Sequence, residues 1–223
     1  ILSKLAEKLK ELDARILEMD TDGIYFTMPE NPDSDFDAQI SSVLPSGIEL
    51  EFDAEYPAMY CYKAKNYALL NDDKTISVSG AALKSRALEG FQRRFIQAVL
   101  QSKLTGQPDI LENCYTELKN SIENRTIDLS ELVKSEVLSD SPENYKRKQG
   151  APGFRRSAPY ELALASGKKF CAGDKVGFYV TGNKAKVAVV ENSKLFSDAD
   201  PAVRDENSAY YLNKLDELYK QFK

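Results

Sequence analysis

Leu2, Leu5, Leu9 and Leu12 recur at intervals of three and four, with Lys4, Glu7, Lys8 and Glu11 between them, and this spacing predicts an amphipathic helix ending near Asp13. The pattern then shifts to two short β-forming runs, Arg15-Ile16-Leu17-Glu18-Met19 and Ile24-Tyr25-Phe26-Thr27-Met28, separated by Asp20-Thr21-Asp22-Gly23. An Asp/Gly turn between two such runs predicts a β-hairpin, which Pro29-Glu30-Asn31-Pro32 closes into a loop. A helix is expected over residues 37–44. Ile48-Glu49-Leu50-Glu51-Phe52 alternates apolar and acidic side chains, as a half-buried strand does, and Met59-Tyr60-Cys61-Tyr62-Lys63 also reads as a strand. Residues 67–70 and 75–78, on either side of Asn71-Asp72-Asp73, read as a further hairpin.

Near residue 85 the period lengthens. Leu88, Phe91, Phe95 and Val99 predict a helix over residues 86–104, and Pro108 opens a second over residues 108–123. Residues 146–156 are polar and basic and contain Gly150, Pro152 and Gly153, so a loop is expected there. Phe178-Tyr179-Val180 and Val187-Ala188-Val189-Val190 read as strands, and Tyr210, Tyr211, Leu215, Leu218 and Phe222 predict a final amphipathic helix. The expected class is α+β: antiparallel strands with an acidic β-hairpin over residues 1–85, then a mostly helical part over residues 86–223.

Composition narrows the chemistry. At 223 residues, 42% hydrophobic and 29% charged, the chain can bury a real core. It has no histidine, which excludes Ser-His and Cys-His catalysis, His-ligated zinc or haem, and histidine pH switching. Cys61, Cys114 and Cys171 lie more than fifty residues apart. Without a CxxC pair, structural zinc and thioredoxin-like redox chemistry drop out, and the odd count fits a reduced, cytoplasmic protein. No apolar run approaches the roughly eighteen residues of a membrane span, and the spaced leucines at the start are not a signal peptide. Because Ile1 already stands inside a helical pattern, the sequence is expected to be a piece of a longer polypeptide.

The net charge of −5 is unevenly distributed. Residues 1–62 carry −10, residues 63–110 carry +4, residues 111–145 carry −5, residues 146–186 carry +8 and residues 187–223 carry −2. Attraction to phosphates depends on local Lys and Arg, not on the net figure. The +8 block, with Tyr145, Phe154 and Tyr160 nearby, reads either as a nucleic-acid surface or as an ordinary solvated face. Asp20 and Asp22 are two residues apart, which in an extended hairpin puts both carboxylates on one side, with no nearby basic partner in sequence. They read either as turn chemistry or as oxygen ligands for a hard divalent cation such as Mg2+. An EF-hand is excluded, because Pro29 would occupy the position that needs a bidentate carboxylate, and the flanks are strand-like.

Several motifs then fall in order. Arg15 to Phe26, around Asp20-Thr21-Asp22, resembles the Asp-Thr-Asp palm motif of family B DNA polymerases. Lys63-Ala64-Lys65-Asn66-Tyr67-Ala68 resembles that family's Lys-Lys-Arg-Tyr motif, keeping Lys65 and Tyr67 but with Ala64 and Asn66 at the other two places. Val78-Ser79-Gly80-Ala81-Ala82-Leu83-Lys84-Ser85-Arg86 resembles the segment leading into the thumb. Ser141 to Lys146 and Phe170 to Val176 resemble thumb segments. Gly23 stands where the family usually has Ser, and the variant looks like a divergent bacterial-type branch.

The resemblance implies the C-terminal part of a palm over residues 1–85 and a thumb over residues 86–223. It implies template-directed transfer of nucleotides from dNTPs to a primer 3′-hydroxyl, assisted by two Mg2+ ions. Asp22 would be the direct metal ligand and Asp20 its neighbour; Lys63, Lys65, Tyr67 and Arg86 would contact primer–template DNA. The remaining palm carboxylates and the fingers lysines would lie in a missing N-terminal part of the same polypeptide, so the chain alone should bind DNA without extending it. The alternative is a non-catalytic nucleic-acid-binding module whose acidic hairpin is only a turn.

Overall fold

The computed structural model describes residues 1–223 apart from Asp22, Ser85, Arg86 and Pro201. The chain divides into two compact units, Ile1–Lys84 and Ser85–Lys223. In the first, α1 (Leu2–Glu11) buries Leu5 and Leu9, and the chain reverses at Asp13 in the left-handed region (φ 60°). Strands β1 (Arg15–Met19) and β2 (Ile24–Thr27) then form the antiparallel acidic hairpin, with Arg15 opposite Thr27 and Met19 opposite Ile24. Helix α2 (Phe36–Ser41) brings Phe36 and Ile40 into a core with Leu5, Leu9 and Ala14.

A second sheet of the same unit holds β3 (Ala58–Lys63), β4 (Asn66–Leu70) and β5 (Ile76–Ser79), antiparallel in that order. The central strand β4 buries Ala68, Leu69 and Leu70, and α3 (Ala81–Lys84) packs against β4 and β5. The strand expected over residues 48–52 is absent. Ile48 and Phe52 are 42% and 56% exposed, while Leu50 packs on the α1–α2 core. Alternation creates a face, but a strand also needs a neighbour to bond, and residues 48–52 pair with none of the described strands.

The second unit starts with α4 (Gly90–Thr105), opened by a capping box between Glu89 and Gln92 and ended by Gly106 in the left-handed region. Next come α5 (Pro108–Glu123), a 3-10 turn (Leu129–Leu132), β6 (Lys134–Val137), α6 (Pro142–Lys148), α7 (Ala158–Ala165), β7 (Lys175–Val180), β8 (Ser193–Leu195), a second 3-10 turn (Phe196–Asp198) and α8 (Ser208–Phe222). Helices α4, α5 and α8 pack together through aromatic contacts: Phe91 on Tyr211, Phe95 on Tyr219, and Tyr115 stacked on Tyr219. Strands β6-β7-β8 make an antiparallel sheet covered by α7, around Leu138, Ala163, Val176 and Leu195.

The α+β class with antiparallel sheets is therefore present, although the second unit holds a full sheet beside its helices. The strand expected over residues 187–190 is a turn instead: Ala188 O accepts from Glu191 N, Asn192 N and the Asn192 amide group. Strand pairing waits until Ser193. The loop expected over residues 146–156 begins only after α6 ends at Lys148. Among the described residues, no helix is long and apolar enough to cross a membrane, and Cys61, Cys114 and Cys171 are free thiols.

Candidate functional site

The two hairpins of the first unit meet at their acidic and basic ends. In the turn after β1, Asp20 N donates to Gly23 O at 3.0 Å. Asp20 Oδ1 accepts from Thr21 N at 2.7 Å and from the Thr21 hydroxyl at 3.1 Å. The same oxygen lies 2.9 Å from Lys65 Nζ. The Lys65 ammonium, with the two Thr21 donors, holds the Asp20 carboxyl below the usual carboxylate range. Asp20 was expected to lack a basic partner near in sequence; the fold supplies one from the other hairpin.

Lys65 sits at the two-residue turn between β3 and β4, where Lys63 pairs with Asn66, and it adopts a left-handed conformation (φ 61°). Its backbone N–H donates to Glu18 Oε1 at 3.1 Å. Asn66 braces the turn from behind: its amide group donates to Ala64 O at 2.9 Å and its oxygen accepts from Ala82 N at 2.9 Å. The thiol of Cys61 donates to Leu17 O at 3.6 Å.

Tyr67, on β4, donates from its hydroxyl to that of Tyr25 at 3.3 Å, and the rings lie 5.1 Å apart. The shared hydrogen bond, with burial, pushes the Tyr25 phenol well above its ordinary range. Lys63, exposed at the end of β3, places its ammonium 4.9 Å from the Tyr62 ring.

The structure thus brings Lys65 to Asp20 and Tyr67 to Tyr25 from residues far apart in sequence, while Lys63 lies exposed at the end of β3. Asp22 and Arg86, both expected at the site, lie outside the described residues. Glu18, Tyr25 and Asn66 are the polar groups that sequence reasoning did not assign to the site. The signal for Glu18 was available, because it stands two residues before Asp20 and so shares its face of the hairpin.

The described residues do not by themselves fit a divalent cation. No group of three or more Cys, Asp or Glu among them could hold a metal, and Asp20 Oδ1 is already occupied by the Lys65 ammonium and the Thr21 donors.

The basic block of the second unit is also revised. Tyr145 is buried and stacks on Tyr160 at 4.5 Å and 9°, with Phe154 tilted against it. Its hydroxyl donates to Glu161 and accepts from Ser157 N. These rings are packing and hydrogen-bonding groups, not a platform for bases. The cations Lys146, Arg147, Lys148, Arg155 and Arg156 around them remain exposed.

Residues 31–219 match the family described as DNA polymerase family B, and the chain belongs to that family. The chain is 24% identical to a DNA polymerase of Methanocaldococcus jannaschii over 94% of its length, but over only 13% of that protein. It is 25% identical to DNA polymerase 1 of Pyrococcus abyssi over 91% of its length and 27% of that protein. The family B DNA polymerase from Pyrobaculum calidifontis superposes with a TM-score of 0.70 at 20% identity, over 99% of this chain and 28% of that one. The chain therefore spans about a quarter or less of the curated relatives named here. All three are archaeal, which gives no support to the bacterial-type branch expected from the motifs.

Proposed function

We propose that the chain is the C-terminal part of the palm (residues 1–85) and the thumb (residues 86–223) of a DNA-directed DNA polymerase that works in the cytoplasm. The observation that carries this reading is the meeting of Asp20 with Lys65 at the tips of the two hairpins whose sequences resemble palm motifs. In this reading Lys63, Lys65, Tyr67 and Arg86 face the primer–template duplex. Asp22 is the carboxylate offered toward Mg2+ and Asp20 its neighbour; in a complete site the metal would stabilise the charge developing on the transferred phosphate. The remaining carboxylates and the grip on the incoming dNTP belong to an N-terminal part of the same polypeptide. Within this chain Asp20 orients Lys65, and Tyr25 orients the Tyr67 ring; neither requires a metal.

The chain alone is expected to bind primer–template DNA in a salt-sensitive, sequence-independent way, measured by fluorescence anisotropy. It is expected to show no extension with Mg2+ and all four dNTPs. Clear extension would overturn the division of the site, and absence of binding at low salt would overturn the duplex contacts. Asp22→Ala in a longer polypeptide that includes the N-terminal part should abolish extension and leave binding intact. Unchanged extension would favour the non-catalytic nucleic-acid-binding module.

A further inference from the structure

We propose that Glu18 is a positioning residue that sets the hairpin tip carrying Lys65, and so decides where the Lys65 ammonium is presented; this rests on the duplex-contact role proposed for Lys65. The argument begins with the turn. In the two-residue connection from Lys63 to Asn66, Lys65 adopts φ 61°, a conformation that side chains other than glycine take up reluctantly. No glycine is present at the tip to ease it. The conformation must be held by contacts, and Glu18 supplies one that is charged: its Oε1 accepts the Lys65 backbone N–H at 3.1 Å.

Glu18 and Asp20 share one face of the acidic hairpin, so a single surface grips the same lysine twice. Glu18 fixes its main chain, and Asp20 meets its ammonium at 2.9 Å. An ammonium has three donor hydrogens. The direction of that ammonium follows from where the backbone is held, and a phosphate oxygen can compete for its exposed hydrogens. The bulge in β1 between Ile16 and Glu18 is part of the device, because it shifts the pairing register just where Glu18 projects. Asn66 and Gly80 brace the far side: a Cβ on Gly80 would come within 2.3 Å of Lys65 O and Asn66 Oδ1, so that side has no room for the tip to relax.

The test is binding of the whole chain to a labelled primer–template duplex by anisotropy between 50 and 200 mM NaCl, with thermal unfolding measured for every variant. Lys65→Ala should flatten the slope of log affinity against log salt by about 0.9, the value of one lost phosphate contact. Glu18→Ala, and Glu18→Leu as the variant that keeps the stem's packing, should flatten it equally and weaken binding about tenfold at the lowest salt, the factor carried by one hydrogen bond to a charged group. Glu18→Gln, which keeps an acceptor oxygen without the charge, should fall between wild type and Glu18→Ala. Adding Glu18→Ala to Lys65→Ala should weaken binding no further.

A normal slope in Glu18→Ala and Glu18→Leu beside a flattened slope in Lys65→Ala overturns the role of Glu18 alone. So does a Glu18→Gln variant as weak as Glu18→Ala, or an equal loss in the Lys65→Ala background. A normal slope in Lys65→Ala overturns the duplex contact itself, and the role of Glu18 falls with it.

Discussion

The hydroxyl of Tyr211 joins three elements of the second unit, and its removal gives a loss that can be worked out from the structure. Tyr211 is 1% exposed on α8. Its oxygen accepts from Val180 N at 2.7 Å, at the end of β7, and donates to Leu132 O at 3.0 Å, at the end of the first 3-10 turn. Tyr211→Phe keeps the ring and its edge contact with Phe91, whose centroid is 5.8 Å away. It leaves one donor and one acceptor without partners beside buried Val180 and Leu132. Each orphaned buried group costs about 1–3 kcal/mol, and losing the hydroxyl's own desolvation returns part of that, for a net loss of about 2–4 kcal/mol. With a urea slope of about 2 kcal/mol/M, the midpoint of the second unit should fall by about 1–2 M with the slope unchanged. The chain has no tryptophan, so circular dichroism is the natural probe. Amide exchange gives an independent reading, since the Val180 N–H should be strongly protected in the wild type and much faster in the variant. A midpoint shift worth less than about 1 kcal/mol, or a Val180 amide that exchanges at the same rate in both proteins, would refute the bridge.

Two further perturbations probe the other features. Gly80→Ala adds a Cβ 2.3 Å from two oxygens at φ 88°, so the first unit should lose about 3 kcal/mol or more, seen as a lower melting temperature; wild-type melting would refute the close approach. Asp140 is held at about 2 by Lys148, Asn144 and the Ser141 N–H. A folded-state pKa depressed below the unfolded value contributes stability that is complete above about pH 4 and lost as pH falls through about 2. A carbon-13 titration should place the Asp140 carboxyl near 2, and Lys148→Ala should move it upward; a wild-type value near 4 would refute the network.

The elements legible in the sequence are those whose cause is local. The α1 leucines, the two hairpins of the first unit and the α8 aromatics each carry a period or a turn that specifies them from within a short window. Elements that depend on a distant neighbour were not legible. Residues 48–52 alternate well but have no ladder to join, whereas β6 (Lys134-Ser135-Glu136-Val137) looks polar and is a strand because β7 pairs with it. Val187 to Val190 has strong β-propensity, yet the Asn192 side chain and backbone close a turn on Ala188. The same division runs through the site. Asp20, Lys65 and Tyr67 are visible as residues in motifs, but Lys65 reaches Asp20 only once both hairpins are folded. The roles of Tyr145 and Tyr160 stayed open because aromatic rings among basic residues look the same in sequence whether they stack on each other or on a base.

Counting charges along the chain treats every cation as available, and the structure shows that several already have partners. In the +8 segment, Lys148 lies 2.7 Å from Asp140, Arg156 lies 3.1 Å from Glu161 and 3.2 Å from Glu191, and Lys168 pairs with Asp198. These side chains are nonetheless 46% to 66% exposed. Exposed pairs of this kind are worth only about 0–1 kcal/mol, so a phosphate can replace the carboxylate at little cost. Such pairing leaves the side chains accessible to the polyanion proposed above. Lys65 differs in one respect: its partner Asp20 is also fastened by Thr21, and its own backbone is fastened by Glu18. In the proposed role the segment's cations would change partners and follow a duplex of any sequence, while the backbone of Lys65 would stay fixed. A surface that must slide along DNA and a tip that must stay beside one position need different kinds of lysine, and the distinction lies in what holds the backbone, which a charge count does not register.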